Sequence, residues 1–251
     1  CTRSSMDLRV AFLPVYHNPY QHLLTAELEK LGIGVEHLTE MPSVVWLVQN
    51  RGQVQVLHLH WLYGLYMRHM LTPGRMIAFL ARFELARRLD YRFVWTAHNI
   101  LPHRQPFPAM HRLVRRLVMR RASAVISHCE HGRREVLRLF PSDVPVHVVP
   151  HGNYRGVHTI DVTRTEARVA LGIHPASFVY AQLGNISQYK GVEEFVESFQ
   201  ASAGPDDVAL VAGRNRAPAV LEWLEARADT DSRVHLHAGF ADTFVHQAAG
   251  N

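Results

Sequence analysis

Along this chain, apolar and polar positions repeat one rhythm: a short run of buried-type residues, a polar break, then a stretch with helical spacing. Val10 to Val15 (VAFLPV) has the composition of a buried strand, and Tyr20 to Leu31 follows with Leu23, Leu24, Leu28 and Leu31 on one helical face. Gly32 and Gly34 end that helix, and Val35 to Leu38 starts the next strand. The same alternation predicts a helix over Val44 to Asn50, a strand over Val54 to His60 and a helix over Met76 to Leu89. A strand at Phe93 to Ala97, a helix at Pro108 to Arg121 and a strand at Ala124 to Ser127 come next, then a helix at Glu130 to Phe140 and a strand at Val146 to Val149. Strands alternating with helices imply a mostly parallel sheet covered on both faces.

Between Pro150 and Pro175 the rhythm breaks, and Gly152, Gly156 and Gly172 stand among few apolar runs, with a short helical pattern over Arg164 to Leu171. It then resumes with strands at Phe178 to Leu183, Val208 to Ala212 and Val234 to Leu236, separated by helices at Gly191 to Ala201 and Ala217 to Ala228. This organisation predicts an N-terminal Rossmann-like domain over residues 6–154, a linker over 155–175 and a second Rossmann-like domain over 176–251. Three strands are few for a doubly wound domain, so the second is expected to be incomplete. Cys1 to Ser5 precede Met6 and read as an added leader.

Composition adds limits. With 47% hydrophobic and 20% charged residues the chain is globular in type, and its two cysteines, Cys1 and Cys129, are too few for a disulfide scaffold. No apolar run is long enough to span a bilayer, and a cytoplasmic location is the expectation. Charge is uneven: through Arg155 there are 20 Lys and Arg against 10 Asp and Glu, and beyond it 7 against 12. Two domains with different partners are implied.

In open α/β sheets, ligands bind beyond the carboxyl ends of the strands. In the first domain those positions hold Tyr16, His17, Asn18 and Tyr20, then Trp61 and Tyr63, then His98, Asn99, His103 and Arg104, and finally His151 to Asn153. With 18 histidines in the chain, each of these imidazoles suits a structural or solvated place as readily as a catalytic one. His98 is the best placed, directly after a strand and before Asn99. No H-E-x-x-H or paired C-x-x-C spacing occurs, so no metal is expected. In the second domain a strand runs into Gly184, Asn185 and then Lys190 and Gly191 at a helix start, where free amides and the helix dipole favour an anion. Lys190 suits either a diphosphate partner or a solvated loop. Gly213 and Arg214 follow the next strand, and Gly239 and Phe240 the third. Neither G-x-G-x-x-G nor the P-loop pattern is present, which argues against dehydrogenase and ATPase chemistry.

Four segments in order resemble retaining glycosyltransferases of the GT-B fold, in particular glycosyltransferase family 4. They are WTAHNILPH (Trp95 to His103), VVPHGNY (Val148 to Tyr154), LGNISQYKGVEEFVESF (Leu183 to Phe199) and VHLHAGFAD (Val234 to Asp242). The resemblance implies two Rossmann-like domains facing a cleft and a sugar moved from a UDP- or GDP-linked donor, with no cofactor, to a glycan or lipid-linked acceptor. It implies that His98 contacts the donor sugar, that Lys190 neutralises the leaving diphosphate beside Gly184, and that Gly239 and Phe240 adjoin the nucleobase. Asn18 would face the diphosphate from the other domain, and His103 and Arg104 would lie on the acceptor side. Three departures stand out. The first loop reads HNPYQ where the family is glycine-rich, and Asn185 stands where an arginine is usual, so that either Lys190 acts with less help or Arg214 substitutes. The family's paired-glutamate segment is expected beyond Asp242.

Met110 to Arg121 (MHRLVRRLVMRR) sets Arg112, Arg115, Arg116, Arg120 and Arg121 beside Leu113, Leu117 and Val118. As a helix it either packs its apolar stripe on the sheet or docks on anionic lipid, and the two are compatible. Nucleic acid is not expected, because no stacking motif or DNA-binding module is present. Besides a sugar transferase, the sequence leaves open another GT-B enzyme, such as an epimerase or phosphorylase, and a non-catalytic nucleotide-binding domain.

Overall fold

The computed structural model describes residues 8–16, 18–67, 72–101, 107–154, 157 and 162–239. The chain forms two compact units, Cys1–Tyr154 and Arg155–Asn251. In the first, strands β1 (Arg9–Leu13), β2 (Gly34–His37), β3 (Val56–Leu59), β4 (Arg92–Thr96), β5 (Ala124–Ser127) and β6 (Val146–Val148) make one sheet in the order β2-β1-β3-β4-β5-β6. Every pairing is parallel. The helices between them are α1 (Pro19–Lys30), α2 (Val44–Gln49), α3 (Leu62–Tyr66), α4 (Thr72–Arg88), α5 (Pro108–Arg121) and α6 (Glu130–Leu139). Parallel strands covered on both faces are largely apolar, and Ala11, Phe12, Leu13, Leu57, Leu59, Phe93, Trp95 and Val125 are all buried, with His58, Thr96 and Ser127 as buried polar positions among them. Phe79 and Phe83 of α4, Val114 and Val118 of α5 and Val136 of α6 complete that core.

Two helices turn differently from their sequence patterns. The leucines of α1 do not form a buried stripe: Leu23 and Leu31 are exposed, and Gln21 is the buried residue. Its amide donates to the Pro14 carbonyl at 3.0 Å and accepts from the Tyr16 amide at 3.1 Å, so that polar contacts anchor this end of the helix. In α5 the buried positions are His111, Val114, Arg115, Val118 and Met119, a face of i, i+3/i+4 and i+7/i+8 spacing, whereas Leu113 lies with the exposed residues. Arg115 therefore points inward. Its guanidinium donates to the Tyr66 hydroxyl at 3.0 Å and to the His111 carbonyl at 3.2 Å, and that hydroxyl lies 2.8 Å from His111 Nδ1. Arg112, Arg116 and Arg120 remain exposed, and Arg121 reaches Glu84 at 3.5 Å.

In the second unit β7 (Val179–Leu183), β8 (Val208–Gly213) and β9 (Val234–Ala238) form a parallel sheet in that order, with α7 (Arg164–Ala170), α8 (Val192–Ser202) and α9 (Pro218–Thr230) around it. All six residues of β8 are buried, and its side chains alternate between two cores. Ala209 and Val211 pack with Val196 and Phe199 of α8 and Leu224 of α9, while Val208, Leu210 and Ala212 pack with Ala167 and Ile173. Part of the stretch read as linker thus contributes to this core. A capping box holds the start of α7, where the Thr163 and Glu166 side chains each satisfy the other's backbone amide.

Candidate active site

The strand order β2-β1-β3-β4 puts β2 to one side of β1 and β3 and β4 to the other, and in open α/β sheets such a switch point, at the carboxyl ends of β1 and β3, is where ligands bind. Two loops meet there. Asn18 caps α1, its side-chain carbonyl accepting from the Tyr20 amide at 2.9 Å and from the Tyr154 hydroxyl at 3.4 Å. That carbonyl is thus committed within the unit. The neighbouring His17, together with His103, Arg104 and Phe240, lies outside the described residues.

Around the carboxyl ends of β3, β4, β5 and β6, the imidazoles of His60, His98, His128 and His151 gather about Tyr20, and a fifth, His58, packs on His60. His98 is sandwiched, with Trp61 stacked on it at 4.5 Å and 13° and the Tyr20 ring edge-on at 4.9 Å and 88°. Both of its nitrogens face other histidines: Nε2 lies 3.2 Å from His60 Nδ1, and Nδ1 lies 3.3 Å from His128 Nε2. His128 Nδ1 in turn donates to the Val149 carbonyl at 3.0 Å. His58 Nε2 lies 2.8 Å from the Thr96 hydroxyl, and its ring stacks on His60 at 4.3 Å. His151 packs against His128 and Tyr20, with Nε2 3.3 Å from the Tyr154 hydroxyl.

Burial sets the electrostatics of this cluster. It takes His58 down to about 3, and it takes His98 to about 3 with smaller repulsive contributions from His128, His58 and His151. His60 is lowered well below its ordinary value for the same reasons, burial first and then His58, His98, His128 and His37. Burial also pushes the Tyr20 phenol up, against a hydrogen bond with Thr96. At neutral pH His58, His60 and His98 are therefore uncharged, suited to hydrogen-bonding hydroxyls rather than to neutralising phosphate. Among the described residues no group of three or more His, Cys, Asp or Glu is arranged to hold a metal ion. The sequence places Tyr20 and His98 at strand ends, whereas His60 and His128 are not among its candidates. Two signals point to them: the LHLH alternation puts His58 and His60 on one face, and His128 directly follows a strand.

In the second unit the predicted glycines come together. Leu183 pairs with Ala212 and Gly213 with Ala238, so Gly184, Gly213 and Gly239 lie side by side at one carboxyl edge. The Gly184 amide donates to the Ala212 carbonyl at 2.9 Å, and the Gly239 amide to the Gly213 carbonyl at 3.0 Å. Gly213 (φ 155°) is required by packing, because a Cβ there would collide with the Gly184 carbonyl. Gly184 (φ 132°) faces open space, leaving bare backbone at the loop. Past it, Ile186 is buried and bridges to Asn215, and the short 3-10 turn Gln188–Lys190 leads to Gly191 in the left-handed conformation, which starts α8. Lys190 is exposed, its ammonium 5.3 Å from the Tyr189 ring centroid, and its carbonyl accepts from the Gln182 amide at 2.7 Å. Asn185 and Arg214 are exposed at the same edge. Glu193 and Glu194 occupy the first turn of α8 and already complement its dipole.

The family model for Glycosyltransferase Family 4 matches residues 24–153, just over half of the 251. The chain belongs to glycosyltransferase family 4. The matched stretch ends at Asn153 and contains the whole imidazole cluster apart from Tyr20. Among solved structures, Anabaena HepE in complex with UDP and glucose is similar over 96% of this chain and 72% of its own, with a TM-score of 0.64 at 17% identity. S. aureus MnaA with UDP is similar over 96% of this chain and 71% of its own, with a TM-score of 0.56 at 10% identity. At these identities the likeness is one of fold, and the fold is GT-B. No curated protein matches the chain. As a family 4 member, this chain is a glycosyltransferase of α/β architecture. Among the described residues no helix is long and apolar enough to cross a membrane.

Proposed function

We propose that this glycosyltransferase takes a sugar from a UDP-linked donor, with GDP as the less favoured base, and passes it with retention and without a metal to a glycan or lipid-linked acceptor. The observation that carries the donor side of this reading is the edge where Gly184, Gly213 and Gly239 adjoin beside Lys190 and the start of α8. Bare backbone at Gly184 lets a phosphate approach closely, and an ammonium next to a helix N-terminus supplies positive charge where glycosyl transfer leaves a negatively charged diphosphate. Arg214 stands at the same edge, where it would take the part that Asn185 leaves unfilled. UDP is favoured as the base because HepE and MnaA were each solved with it. Gly239 and Phe240 would lie beside the base, and Asn18 near the diphosphate. His98 would accept a hydroxyl hydrogen bond from the donor sugar, with His103 and Arg104 toward the acceptor.

A lipid-linked acceptor in polysaccharide assembly accords with α5, whose outward face carries Arg112, Arg116 and Arg120 with Leu113. Such a face suits peripheral contact with an anionic inner leaflet, and on this reading the enzyme works at the cytoplasmic side of a membrane.

Thermal shift of the protein with a panel of UDP- and GDP-sugars tests the donor, since a ligand of the folded state raises the melting temperature. Lys190→Ala should weaken the selected nucleotide-sugar by about tenfold to hundredfold, as expected for a charge-assisted hydrogen bond of about 1.5–3 kcal/mol. Unchanged affinity would remove Lys190 from the site.

A further inference from the structure

We propose that His128 is a positioning residue which, through the Val149 carbonyl, holds His98 in its Nδ1–H tautomer and leaves His98 Nε2 as a hydrogen-bond acceptor. The argument follows protons along four groups. A carbonyl oxygen only accepts, so the His128 Nδ1 that lies 3.0 Å from Val149 O must carry hydrogen. In its neutral form His128 has a bare Nε2, and the His98 Nδ1 at 3.3 Å is then its donor. His98 Nε2 is consequently bare and accepts from His60 Nδ1 at 3.2 Å. The series ends at His60 Nε2, which is left as a lone pair, and that nitrogen is buried with no partner among the described residues. One main-chain oxygen thus orients three imidazoles in the same sense, and the middle ring is stacked by Trp61 and met edge-on by Tyr20.

The consequence for the site rests on the reading of His98 as the residue that meets the donor sugar. An acceptor Nε2 receives a sugar hydroxyl, sharing or replacing the His60 N–H, whereas an Nε2–H tautomer would offer a donor and select a ligand acceptor instead. Removing the acceptor at position 128 releases His98 from this constraint although His128 itself need not touch the substrate.

Long-range 1H–15N spectra of the histidine-labelled chain read the tautomers directly, with His98 assigned by the signals lost in His98→Gln. The expected result is a protonated Nδ1 and a bare Nε2 at His98. His128→Gln keeps the pattern, because the amide N–H can donate to the Val149 carbonyl while its oxygen accepts from His98. His128→Phe turns the single tautomer into a mixture. Protonated Nε2 in the parent protein, or a pure Nδ1–H form in His128→Phe, overturns the proposal. If His128→Phe does not fold, the parent and His128→Gln spectra decide it. Donor affinity in His98→Ala is a separate measurement: no loss there would sink the sugar-contact reading and leave the tautomer assignment standing.

Discussion

Consider His58→Leu, which removes from the first sheet an imidazole that burial holds at a pKa of about 3. In the unfolded chain that side chain titrates near 6.5, so below about pH 6.5 the unfolded state takes up a proton that the folded state refuses. Folding stability is complete above that pH and falls as the pH drops toward 3, at about 1.4 kcal/mol for each unit. Between about pH 7 and about pH 5 this one residue therefore costs about 2 kcal/mol, a large part of the 5–15 kcal/mol typical of a domain. His58 is 5% exposed, and the groups facing it are the Thr96 hydroxyl and the rings of Phe12 and His60, none of them an anion able to stabilise an imidazolium. The window also avoids carboxylates: Glu84, held at about 2 chiefly by its hydrogen bond with Arg87, loses its advantage only below about pH 4.5. Urea unfolding followed by tryptophan fluorescence reports mainly on the first unit, which holds Trp46, Trp61 and Trp95 against Trp223 alone in the second. His58→Leu is expected to be less stable at pH 7, because Thr96 loses a partner, yet to lose about 2 kcal/mol less than the parent on acidification to pH 5. Equal slopes in the two proteins would refute the claim that this imidazole is neutral in the fold.

Other substitutions probe the second unit. Gly213→Ala should destabilise it by about 2 kcal/mol or more, since its Cβ meets backbone at Gly184, whereas Gly184→Ala should cost about 1–2 kcal/mol from positive φ alone; denaturation followed at Trp223 ranks the pair. Thr163→Ala breaks the capping box of α7 and should lower stability by about 1 kcal/mol by the same measurement.

How much of this was legible in advance depended on the range of the interactions involved. Strands and helices alternate as their apolar spacing predicts, because parallel strands buried on both faces are mostly apolar and their covering helices need one apolar face. Glycines at strand ends were equally visible, since backbone turns and close approaches leave few other choices, and Gly213 against Gly184 shows the reason. The face of a helix is less secure when its apolar residues are spread around it: α1 anchors itself through Gln21 rather than its leucines, and α5 turns Arg115 inward to Tyr66 and His111. The short helix α3 and the 3-10 turn before α8 span too few residues to leave a periodic signal.

By its own pattern the chain determined an α/β architecture in two parts, the residues at each strand's carboxyl end, and His98 as one to watch. Tertiary structure alone decided what His98 meets. His60 lies 38 residues before it and His128 30 residues after it, and parallel pairing in the order β3-β4-β5 is what brings their rings to one edge. Proton positions and depressed pKa values then follow from burial and from a single carbonyl at the end of the series, quantities that depend on neighbours in space and leave no trace in local spacing.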